Sequence, residues 1–184
     1  MIPSFTASGA LPPFIGLEAT DRSGVSPYSA SASEILAHLG QTPERRQLIS
    51  GLLAYRAALR AIGIVSGYQL IDGSFTEDCE TVRGRPPDDI DLVTYATLPV
   101  APGDVRAFMQ ANLAVFNPNQ TKAQYSCHAF FIDLSKPPTL LVEDTTYFFG
   151  LFSHQRVSAL WKGMLKLPLA SDDALVVQQL AAFP

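Results

Sequence analysis

Only two cysteines, Cys79 and Cys127, occur among 184 residues, one in a polar stretch and one in an apolar run. So few exclude a disulfide framework, leave room for at most a single bridge, and point to reduced thiols in a cytoplasm. Basic charge is also scarce: 13 Lys and Arg stand against 17 Asp and Glu, a formal net charge of −4. A body of that sign is not built to condense on nucleic acid, which leaves only a local basic patch for phosphate contacts. Long apolar runs are missing. The opening "MIPSFTASGALPPFIG" has neither a basic n-region nor a sustained apolar h-region, and no run reaches bilayer length. A soluble cytoplasmic protein with no membrane partner is therefore expected. There is no internal repeat and no low-complexity tract.

What is present fits one globular domain, with 47% hydrophobic and 16% charged residues. Residues 1–41 are rich in Pro, Ser, Ala and Gly and read as an arm wrapping the domain, with one short helix near Ser33 to Leu39. Residues 42–184 then form the domain proper. Thr42 suits an N-cap, Pro43 the first helical position and Glu44 the positive end of the dipole, and Gly63 ends the helix. Leu48, Leu52, Tyr55, Leu59 and Ile62 share one face of it. "GYQLIDGS" and "DIDLVTYATL" read as strands, Pro102 to Phe116 as a helix, and "QYSCHAFFIDL" as a third strand closed by Lys136-Pro137-Pro138. A short aromatic helix, a turn, a strand near Gly163 to Leu167 and a helix from Ser171 to about Ala182 complete the chain. Connections this short do not suit a doubly wound parallel sheet, so the expected class is α+β, a small mixed sheet packed with helices on one side.

The chemistry concentrates in "GSFTEDCETVRGRPPDDIDLV", residues 73–93. Period two places Asp89 and Asp91 on one face a few ångströms apart, where like charges repel unless a cation sits between them. Hard oxygen ligands suit Mg²⁺ or Mn²⁺ bridging to substrate phosphates. Gly73 lets a ligand approach the backbone, and Ser74 offers an N–H and a hydroxyl to phosphate oxygens. A metal-triphosphate is the ligand this combination fits. Arg156 and Lys162, in "SHQRVSALWKG", are candidate cations for the triphosphate, with Lys122 a further one of that kind. Asp88 reads as a loop residue. Tyr147, Phe148, Phe149, Phe152 and Trp161 read mostly as core, with one available to stack on a base.

A Gly-Ser corner closing a strand, followed by Asp-x-Asp opening the next, resembles the signature of the nucleotidyltransferase superfamily, whose members include DNA polymerase beta and poly(A) polymerases. The resemblance covers roughly residues 42–135, and the wider run through "YFFGLFSHQR…KGMLKLPL" is similar to a small bacterial branch of it. It implies a nucleotidyltransferase-like fold and transfer of a nucleoside monophosphate from an NTP to a hydroxyl on a protein, an RNA or a small molecule, with Asp89 and Asp91 as metal ligands. It also implies a third carboxylate on the next strand. Near that strand's start stands His128, whereas the acid, Asp133, lies toward its far end. Because 133 − 128 is odd, the two point to opposite faces, so either Asp133 or His128 is the third ligand, not both. The segment between Ser74 and Asp89, with Gly84, Pro86 and Pro87, is expected to lack the helix that commonly follows the corner. An alternative expectation is a catalytically degenerate nucleotide-binding or regulatory member of a toxin–antitoxin or defence pair.

Overall fold

Short polar signals start the first helices. Ser31 Oγ accepts from the Glu34 N–H (3.1 Å) and the Glu34 carboxylate accepts from the Ser31 N–H (2.9 Å), a reciprocal cap that opens α1 (Ala32–Leu39). Thr42 Oγ1 accepts from the Arg45 N–H, Pro43 takes the first helical position, and α2 (Pro43–Ala61) runs until Gly63 turns the chain at φ +89°. The computed structural model describes residues 1–18, 20–156 and 158–183.

Five strands build one mixed sheet in the order β1-β5-β2-β3-β4. β2 (Tyr68–Asp72) and β3 (Ile90–Ala96) are antiparallel with Asp72 opposite Asp91. β4 (Cys127–Asp133) runs parallel to β3 with His128 opposite Asp91. β5 (Leu165–Pro168) lies antiparallel on the other side of β2, and β1 (Tyr28–Ser29) closes the edge parallel to β5. The fold is therefore α+β, but helices lie on both faces rather than one. Ile90 and Leu92 face a core shared with Leu52, Tyr55 and Leu59 of α2, whereas Val93 and Tyr95 face a second cluster with Phe148 and Phe152 of α7 (Pro138–Phe152). Alternation along β3, apolar on both sides, requires this double cover.

Two helical expectations change. The stretch Pro102 to Phe116 is not one helix: a 3-10 turn at Pro102–Asp104 leads into α4 (Val105–Ala111), and Asn112 separates it from α5 (Leu113–Phe116). The Asn112 side chain donates to Phe108 O (2.8 Å), competing with the helical ladder. The next residues, "PNQTKAQY", form α6 (Pro118–Tyr125), capped by Asn117 and ended by Ser126 at φ +54°. The aromatic helix is longer than expected, because Pro138 starts it instead of merely ending the preceding strand. Between β2 and β3 a 3-10 turn, Gly73–Thr76, and the five-residue α3 (Cys79–Arg83) stand where a long helix was not expected. The chain ends in α8 (Asp173–Ala181). Both cysteines are free and buried. Among the described residues no helix is long and apolar enough to cross a membrane.

The first 41 residues do more than wrap the domain. Ile2, Leu11, Tyr28, Ile35 and Leu39 join the main core, and β1 is a strand of the sheet. Beneath the sheet, Arg56 is completely buried: its guanidinium donates to both Asp173 oxygens (2.8 and 3.0 Å), to Gln69 Oε1 (2.8 Å) and to the carbonyls of Pro168 and Leu169. One side chain thus ties α2, β2, β5 and α8 together. Arg56→Ala should lower the unfolding free energy by about 3 kcal/mol, because it strips a buried carboxylate of its main partner. Urea denaturation checks this, and a loss below about 1 kcal/mol would show the network to be dispensable.

Candidate functional site

At the end of β2 the chain must turn against its neighbour. Gly73 does so at φ +79°, and a Cβ added there would lie 2.3 Å from Asp91 Oδ2, so the position has room for no side chain. The turn is pinned from two sides. Arg45, buried at the start of α2, donates to Phe75 O (2.9 Å) and Glu77 O and forks onto Glu80 at 2.7 and 2.9 Å. Lys162 reaches in from the segment before β5, 2% exposed, and donates to Gly73 O (3.0 Å) and Glu77 Oε1 (2.9 Å), with Asp72 Oδ1 3.1 Å away. Ser74, next in the chain, is half-buried, and its carbonyl accepts from the Glu77 N–H and the Cys79 thiol.

This placement corrects the expectation for Lys162. A triphosphate-binding cation must face the ligand, but this ammonium lies under the corner with its donors taken by protein oxygens. It is shared by two buried acids. Burial pushes the Asp72 carboxyl up to about 7, against the opposing charge of Lys162 and a hydrogen bond from Thr76. Glu77 has a second cation in Arg83.

Asp91 stands on β3 between Gly73 and His128, whose Nδ1 donates to Asp91 Oδ1 (3.2 Å). Asp89 lies one residue before the strand and pairs through Oδ2 with Lys122 Nζ of α6 at 2.7 Å. Hydrogen bonding to Asp89, with Asp91 and Asp88 nearby, holds the Lys122 ammonium above the ordinary lysine range. Asp88 itself is exposed and pairs with Arg85 (2.9 Å). Of the two candidates for a third ligand, His128 is the one beside Asp91. Asp133 is five residues further along β4, about 16 Å at strand rise, opposite Ala96, and its carboxylate accepts from the Ser135 N–H and hydroxyl as a turn former. The structure therefore separates Asp133 from the aspartate pair.

Arg156 is exposed in the turn after α7. Phe148 and Phe152 are core, as expected, whereas Tyr147, Phe149 and Trp161 are exposed. Clefts lie elsewhere as well, one of about 650 Å³ between α2 and α8 and another of about 730 Å³ beside α1 and Phe183, and neither is lined by a residue of the acidic corner. The first holds Arg60 and Asp173, but that aspartate is committed to the buried Arg56; the corner is the better candidate for chemistry because it sets Asp91 against a backbone turn with Asp89 two residues before it.

Among the described residues no group of three or more His, Cys, Asp or Glu side chains is gathered to hold a metal. The donor set, two carboxylates beside a backbone turn, suits one hard divalent cation completed by water and phosphate oxygens, not an all-protein cage. Asp72, Glu77 and the inward role of Lys162 were not legible in the sequence; the signal was the "IDGS" run itself, whose acid reads equally well as a strand end.

Residues 3–168 match the profile of a family of unknown function (DUF6932), and the chain belongs to that family. Comparison with the curated proteins and with the solved structures gave no match.

Two expected outcomes follow from the corner. Gly73→Ala should cost about 1–3 kcal/mol in a denaturant melt, since it forces a side chain into left-handed backbone and against Asp91; a neutral result would show that the corner relaxes freely. Asp72 supplies a pH dependence. Its folded value, about 7, lies above the unfolded value near 3.8, so its contribution is full below about 4 and is lost as pH rises toward 7. Compared with Asp72→Asn at pH 5 and pH 7 by urea unfolding, the wild type should lose stability relative to the variant as pH rises; a difference that stays flat between the two would mean that Lys162 keeps Asp72 ionised.

Proposed function

We propose that the corner of Gly73, Ser74, Asp89 and Asp91 is a nucleotide site of the nucleotidyltransferase type, moving a nucleoside monophosphate from an NTP to a hydroxyl of a protein, an RNA or a small molecule. The observation that carries the reading is the packing of a side-chain-free backbone turn directly on Asp91, which sets the turn and the carboxylate side by side. The order β2-β3-β4, antiparallel then parallel, with the turn ending β2 and the aspartates opening β3, accords with the nucleotidyltransferase-like fold that the reading requires.

In this reading Asp89 and Asp91 hold Mg²⁺ or Mn²⁺, which when bound supplies charge neutralisation at the α-phosphate and acidifies the attacking hydroxyl. Gly73 allows the turn to close on Asp91, which brings Ser74 beside the aspartates to offer its hydroxyl to the phosphates. His128 fixes the Asp91 carboxylate through Oδ1 and leaves Oδ2 toward the turn. Lys162 holds the Gly73 carbonyl in place from below without touching substrate. Arg156 is the exposed cation assigned to the triphosphate. The acceptor hydroxyl attacks the α-phosphorus and gives its proton to solvent; its P–O bond forms as the bond to the bridging oxygen breaks, and pyrophosphate leaves.

One observation favours a second reading, a nucleotide-binding partner protein of toxin–antitoxin or defence type without turnover. The position beside Asp91 where a third carboxylate would complete a two-metal site is the imidazole of His128. Both readings need the aspartates. Asp89→Asn with Asp91→Asn should abolish stabilisation by Mg²⁺ with NTP, which for the wild type is about 2.7 kcal/mol at a hundredfold excess over Kd. Thermal melts check binding, and labelled NTP with cell lysate checks transfer. An unchanged shift in the double variant rejects both readings; binding without transfer selects the second.

A further inference from the structure

The Asp89–Lys122 pair carries an inference that rests on the nucleotide-site reading and extends it. Lys122 Nζ lies 2.7 Å from Asp89 Oδ2, yet the two partners are held very differently, since the Asp89 side chain is 13% exposed and that of Lys122 54%. The backbone beneath Lys122 is fastened: its neighbour Thr121 is fully buried, and Thr121 Oγ1 accepts from the Ala129 N–H of β4 (3.3 Å). A fixed stem base with an exposed ammonium on a four-carbon chain is a head that can swing. Asp88, the acid next in the chain, pairs with Arg85 instead. Asp91, in turn, is engaged by His128 and the Gly73 turn.

A divalent ion on the Asp89 carboxylate and an ammonium 2.7 Å from its Oδ2 would stand a few ångströms apart, where their charges repel and each weakens the other's hold on Asp89. We propose that Lys122 is a resident counter-cation of Asp89 that yields to the divalent ion and moves to the phosphates of the bound nucleotide. The lysine keeps the acidic corner neutralised without metal and couples metal entry to nucleotide capture. Toward the metal it is a positioning residue that acts through Asp89; toward the nucleotide it is a phosphate-binding residue.

The two halves have opposite signs in one variant. Lys122→Met should bind Mn²⁺ alone about fivefold more tightly by electron paramagnetic resonance titration, the size expected of a half-exposed ion pair, and should bind α,β-methylene-ATP at saturating Mn²⁺ about fivefold more weakly. Lys122→Arg should restore both toward wild type, and Lys136→Met, which removes a lysine paired with Asp144 on α7, should change neither. With ¹³Cε-labelled lysine, the signal assigned by its loss in Lys122→Arg should shift on adding Mg²⁺ and shift again on adding the nucleotide. An unchanged Mn²⁺ affinity in Lys122→Met, or a Lys122 signal indifferent to Mg²⁺, overturns displacement; unchanged nucleotide affinity overturns the move to phosphate. If Mn²⁺ binds the Asp89→Asn/Asp91→Asn protein as well as the wild type, or binds no variant, the nucleotide-site reading fails and the proposal with it.

Discussion

A single buried ammonium organises the acidic corner of this molecule. Lys162 sits where the sheet, the Gly73 turn and the acidic loop meet, and it is the cation shared by Asp72 and Glu77. Removing such a charge from water is costly, and the cost is offset only by near-complete satisfaction of its donors. The three oxygens that supply this come from a strand end, a turn carbonyl and a loop acid, so the geometry of all three is coupled. The Gly73 backbone, held by its carbonyl, cannot relax away from Asp91 without releasing the lysine.

The same knot recruits the N-terminal residues. The Gly163 N–H donates to Leu11 O and the Asp78 N–H to Gly9 O, so the arm is stitched to the segment that delivers Lys162 and to the loop that follows the turn. The family match beginning at residue 3 takes in this arm together with the sheet. On the far side, Arg56 plays the corresponding part for α2, β2, β5 and α8. The two buried cations divide the labour: Arg56 fastens the layers, and Lys162 shapes the corner.

Charge at the corner is compensated pair by pair. Asp72 and Glu77 face Lys162, Asp89 faces Lys122, and Asp91 is met by His128. The inner pairs are buried, whereas the outer ones are partly exposed. Under the proposed function exchange falls on the outer set, because there a protein partner can be replaced without breaking the core.

Local chemistry was legible in the sequence. Thr42-Pro43-Glu44 and Gly63 bound α2 as read, the alternation in "DIDLVTYA" marks β3, and Gly73 beside an Asp-x-Asp strand marks the corner, because capping, side-chain period and backbone freedom act over a few residues. Parity also set His128 and Asp133 on opposite faces. Tertiary structure alone decided which of them meets Asp91, since that depends on the register of β4 against β3, a pairing between segments 37 residues apart. It likewise turned Lys162 inward and made the sheet double-faced. A lysine in a turn and an apolar strand carry no local sign of which oxygens or helices will cover them; the burial of distant groups settles that.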